Sequence, residues 1–66
     1  MNDNDLRIAD AMRRACLEAG ESAYEDAGIR GLYADGRWEA AHDAIRRVDL
    51  HAVIRDAIRD GGQTIR

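Results

Sequence analysis

Between residues 22 and 50 the spacing of small and large apolar residues leaves little choice of architecture. Ala23, Ala27, Gly31 and Ala34 recur at intervals of four, four and three. That is the repeat of one helix face, and it lines the face with almost no side chain. Trp38, Ala41, Ile45 and Val48 follow at three, four and three, a bulkier stripe on a second helix. Between them, Ala34-Asp35-Gly36-Arg37 reads as a turn, with Gly36 where a helix commonly stops. A smooth strip facing a bulky one across a tight turn predicts two helices packed closely and antiparallel, an all-α helical hairpin.

The hairpin extends in both directions. From Leu6 the apolar positions run Leu6, Ala9, Met12, Cys16, Ala19, Ala23 and Ala27, alternating threes and fours, which predicts one long N-terminal helix from Asp5 to Ala34. Asp3, Asn4 and Asp5 are candidates for its cap. Gly20, followed by the capping-box pair Ser22 and Glu25, marks the alternative of a kink or break near Gly20. The stripe passes through Gly20 in phase, which favours continuity. Gly31 belongs to the small-residue face, whereas the sequence supplies no reason for Gly28. A second helix is expected from Arg37 to Val48. Asp49 then caps a third, Leu50 to Asp60, whose inner face is Leu50, Val53, Ile54, Ala57 and Ile58. Gly61-Gly62 ends it, and the termini, 1–4 and 61–66, are expected to fray.

Composition limits how well such a chain stands alone. Its 66 residues allow one small domain, 1–66, and twelve of its thirty apolar residues are Ala, with no Phe. A domain of this size buries only about 60% of its unfolded surface. Its single Cys excludes an internal disulfide, and structural zinc would need several more ligands. Small domains without such staples rely on helix packing or on oligomerisation, so a homodimer is expected. The absence of Pro and the abundance of Ala, Arg, Asp and Glu agree with an all-α chain. Ten Arg, no Lys and a net charge of −3, with both signs interspersed, make nucleic acid an unlikely partner. Asp10 with Arg13 and Arg14, Asp43 with Arg46 and Arg47, and Asp56 with Arg59 are spaced as solvated helix pairs. With no signal peptide and no apolar run long enough to span a bilayer, a cytoplasmic protein is expected.

No catalytic or cofactor-binding constellation emerges. Glu39-x-x-His42 places two potential metal ligands on one helix face, as carboxylate-bridged metal bundles do. A dimer would double the pair, with Glu18, Glu21 or Glu25 facing it. Against this, the stripe through Trp38, Ala41 and Ile45 leaves Glu39 and His42 at its solvated flank. Cys16 lies on the apolar seam without an activating neighbour, and reads as a small buried hydrophobe. His51 reads as exposed. Gly31-x-x-x-x-Gly36 has phosphate-loop spacing but lacks the Lys-Ser/Thr that would hold phosphate. A helix-turn-helix DNA reader would use Arg46, Arg47, Arg55 and Arg59, but Asp43, Asp49, Asp56 and Asp60 lie among them and cancel the field. Tyr33, Arg37 and Trp38, beside the turn, are the residue types enriched in binding hot spots. They are the partner-binding candidates, Tyr33 and Arg37 as exposed groups and Trp38 more as packing on the small strip.

Ala23-Tyr24-Glu25-Asp26-Ala27, Ile29-Arg30-Gly31-Leu32, Gly36-Arg37-Trp38-Glu39-Ala40-Ala41 and Ala44-Ile45-Arg46 together resemble short, uncharacterised proteobacterial and phage helical proteins. Members of that group often carry a Cys where this chain has Tyr33. The resemblance covers a little under half of the chain and implies a helical hairpin of bacterial or phage origin, without an activity. The expectation is therefore a non-enzymatic interaction module, an adaptor or inhibitor of a larger bacterial machine. By analogy of size and charge, phage and mobile-element inhibitors such as anti-CRISPR proteins are its nearest type. The alternatives are a dimeric metal-carboxylate bundle through Glu39 and His42, and a small DNA-binding regulator.

Overall fold

A computed structural model describes residues 2–63, and side chains up to residue 59. Among the described residues every regular element is a helix: α1 (Asp3–Ile29), α2 (Ala34–Arg46) and α3 (Leu50–Gln63). The all-α expectation holds, with one long helix packed against two shorter ones. The backbone divides into two compact units, Met1–Ala15 with Asp49–Arg66, and Cys16–Val48. In the first, the N-terminal half of α1 meets α3. In the second, the C-terminal half of α1 meets α2, and this is the hairpin.

The helix starts follow side-chain chemistry. Asn2 caps α1, accepting the Asp5 amide on Oδ1 at 2.8 Å while its carbonyl takes the Leu6 amide. The cap thus falls one residue before the three expected candidates, and Asp3 and Asn4 are already helical. Its negative first turn, Asp3 and Asp5, suits the positive end of the helix dipole. Asp49 caps α3 as expected, Oδ1 accepting the Ala52 amide at 3.0 Å. α2 starts without a side-chain cap, after an extended Tyr33.

Four expectations about the glycines and helix ends are corrected. The first helix stops at Ile29, not Ala34, because Gly31 adopts φ +93°. The Leu32 amide then reaches the Ala27 carbonyl and the Gly31 amide the Gly28 carbonyl, each at 3.0 Å. This is a Schellman ending, which satisfies carbonyls that the helix would leave unpaired. Gly36 is not a stop: it lies inside the first turn of α2, where a Cβ would meet the Leu32 side chain at 3.0 Å. Accordingly α2 runs from Ala34 to Arg46 rather than from Arg37 to Val48. α1 does run through Gly20 without a break, as the in-phase stripe favoured, and Ser22 and Glu25 are exposed mid-helix residues rather than a capping box. At the other end, α3 continues through Gly61 and Gly62 to Gln63, and the expected fraying of 64–66 falls outside the described residues.

The core of each unit is made of small residues. In Cys16–Val48, Gly20 and Ala27 of α1 and Ala41 of α2 are buried, with Ala27 at 0% and Ala41 at 3% exposure. A Cβ on Gly20 would lie 2.9 Å from Ile45 Cδ1, so this glycine sets how closely the two helices approach. The smooth face is therefore Gly20, Ala23 and Ala27, one turn earlier than the strip ending at Ala34. In the other unit Ala57 is buried and the Arg7 guanidinium donates to its carbonyl. No large side chain is fully buried among the described residues. Leu50, Ile54 and Ile58, assigned to the inner face of α3, all remain exposed. No described helix is long and apolar enough to cross a membrane.

Candidate functional site

Within Cys16–Val48 the two helices leave an apolar groove beside their small-residue contact. Its floor is Leu17, Gly20 and Tyr24 of α1 with Trp38, Ala41 and Ile45 of α2. The groove exists because Gly20 and Ala41 are too small to fill the space between the helices, while Trp38 stands at one end. Trp38 is 57% exposed and meets Tyr24 edge-on, ring centroids 5.7 Å apart, with the His42 ring tilted against it at 5.6 Å. Leu17, one residue off the expected seam, is 56% exposed at the groove.

One wall is acidic. Glu18, Glu21 and Glu25 of α1 border the groove at intervals of three and four. None forms an ion pair among the described residues, in contrast to Asp10 with Arg14, Asp26 with Arg30, and Asp43 with Arg47. No arginine lines the groove. The glutamates are exposed, so each carries its charge into water, and the wall is a negative strip about two helical turns long.

The three partner-binding candidates separate. Tyr33 is 89% exposed in the link between α1 and α2. Trp38 is at the groove rather than buried on the small-residue strip. Arg37 is not a free hairpin-tip group: it is half-buried, its Nε–H donates to the Tyr24 carbonyl at 3.1 Å, and its guanidinium carbon lies 4.2 Å from the Tyr24 ring centroid. The same guanidinium occupies the space where a Gly28 side chain would stand, 2.6 Å from an ideal Cβ. Gly28, for which the sequence offered no reason, is thus the seat of Arg37.

Glu39 and His42 are both exposed, His42 resting on Trp38. Among the described residues no three His, Cys, Asp or Glu side chains converge as a metal site would require. On α3, Asp56 accepts from Arg59 at 3.1 Å and lies 3.5 Å from Arg55, as the interspersed charges suggested. Cys16 is half-buried and His51 exposed.

Searches against protein-family models, curated proteins and solved structures return no match to this chain. The geometry alone therefore carries the functional reading. Leu17 was the groove residue not singled out from sequence, and it had a signal, a large apolar residue outside the seam.

Proposed function

We propose that this chain is a non-enzymatic helical interaction protein, homodimeric and cytoplasmic, that acts stoichiometrically as an adaptor or inhibitor of a larger bacterial machine. The observation that supports it most is the mismatch between the core and the surface. The core consists of Ala27, Ala41 and Ala57, while residues as large as Leu6, Leu17, Trp38, Leu50 and Ile58 are each more than half exposed. Contiguous exposed apolar surface rimmed by polar residues is characteristic of protein-binding sites. Each unit offers one such surface: the groove at Trp38, and the uncovered side of α3 at Leu50, Ile54 and Ile58. We assign the groove to the partner and the α3 surface to the homodimer.

The test is affinity capture from bacterial lysate with the tagged chain, beside Leu17→Glu and Tyr33→Ala variants. The expected result is one stoichiometric partner retained by Tyr33→Ala and lost with Leu17→Glu. Recovery of the chain alone, or capture indifferent to Leu17→Glu, would overturn the reading.

A further inference from the structure

Resting on that reading, we propose that the groove's occupant is a basic amphipathic helix of the partner protein. Its apolar edge would lie on Leu17, Trp38 and Ile45, and its Arg or Lys side chains would meet Glu18, Glu21 and Glu25. The shape argues for a helix. The groove lies between two helices, and a third helix completes such a contact with side chains three and four residues apart. The charge argues for a basic one. Three carboxylates stand on one wall with no cation among the described residues paired to them or lining the groove. Their intervals match those of residues along one face of a facing helix. An acidic helix would set like charges against each other at a partly dehydrated surface, and a phosphate or nucleic acid would meet the same repulsion.

The charge also argues against a second copy of this chain in the groove. Arg14, Arg30, Arg47, Arg55 and Arg59 already hold Asp partners within four residues in the chain. Arg37 is committed to Tyr24, and Arg7 to Asn4 and the Ala57 carbonyl. Among the described residues Arg13 of α1 and Arg46 of α2 are the exposed arginines left without a partner, one cation to a helix against three carboxylates, so a foreign helix with several cations suits the wall better.

Selection from a displayed library of helical peptides tests the proposal. The peptides carry fixed Leu at i, i+4 and i+7 and random flanking positions, and the immobilised full chain is the bait. Trp38, the single Trp, reports binding by its fluorescence. The expected outcome is enrichment of Arg and Lys on one flank. Enriched peptides should shift Trp38 emission to shorter wavelength and lose at least about tenfold in affinity against a Glu18→Gln, Glu21→Gln, Glu25→Gln variant. These glutamates are exposed, so the variant should keep the helical circular dichroism of the parent. Enrichment without cations, equal binding to the triple variant, or no enrichment would each overturn the proposal. A concentration-dependent shift of Trp38 emission without peptide would instead place a second copy in the groove, and also overturn it. Capture from lysate separates this inference from the broader reading. A partner lost with Leu17→Glu but retained by the triple Gln variant would leave the interaction protein standing and remove the basic helix.

Discussion

Arg37 and Gly28 depend on each other: the guanidinium takes the position of the absent side chain and from there reaches the Tyr24 ring and carbonyl. A methyl at residue 28 would displace Arg37, while adding about 1 kcal/mol of helix propensity. The two effects oppose each other in the parent chain and separate in a double-mutant cycle. Gly28→Ala alone is expected to leave the midpoint of urea unfolding nearly unchanged or lower. In an Arg37→Ala background, the same change should stabilise by about 1 kcal/mol. Stabilisation of equal size in both backgrounds would show that Arg37 does not need the space. Gly31 is the other position where only glycine serves. At φ +93°, Gly31→Ala should cost about 1–2 kcal/mol in the same measurement. Periodicity gave no access to either role. Gly28 answers to a side chain nine residues later, and the choice between Gly31 and Gly36 as the stop depends on which glycine takes the left-handed conformation.

At the scale of elements, what was legible from sequence was the number of helices, their order and the Asp49 cap. These follow from local chemistry: apolar periodicity, helix-forming composition and a polar side chain before an apolar run. What was not legible was where the hairpin turns and which side of each helix is covered. The small strip was placed at Ala23 to Ala34, whereas the buried small residues begin with Gly20, whose lack of a Cβ admits Ile45. A glycine in a helix reads equally as a stop or as a point of close approach, and only the partner helix decides. Trp38 shows the same limit, because its exposure depends on the small contact beside it leaving a groove unfilled. The Asp49 cap is separable from all of this. Asp49→Ala removes the bond to the Ala52 amide and should lower stability by about 1 kcal/mol, whereas Asp49→Asn should retain most of it. Urea unfolding of the two variants side by side checks this.

For the molecule as a whole, α3 presents more apolar surface than α1 covers: Ala57 is buried, while Leu50, Ile54 and Ile58 run along the helix at intervals of four and stay exposed. If that row is the homodimer contact, Ile54→Glu should yield a monomer in sedimentation velocity at concentrations where the parent is dimeric. A parent that sediments as a monomer throughout would remove the dimer from the proposal. The groove, lying within Cys16–Val48, should still select its peptides in the Ile54→Glu protein.

The alanine core has a calorimetric consequence. Unfolding raises the heat capacity of a typical domain by about 12–15 cal/mol/K per residue, because apolar surface becomes hydrated. Here most large apolar side chains are already in contact with water in the folded chain, so little remains to be newly hydrated. Scanning calorimetry of the Ile54→Glu monomer is expected to show an increment below that range. Its stability would then change little between cold and warm conditions, and its melting would be spread over a wide span of temperature.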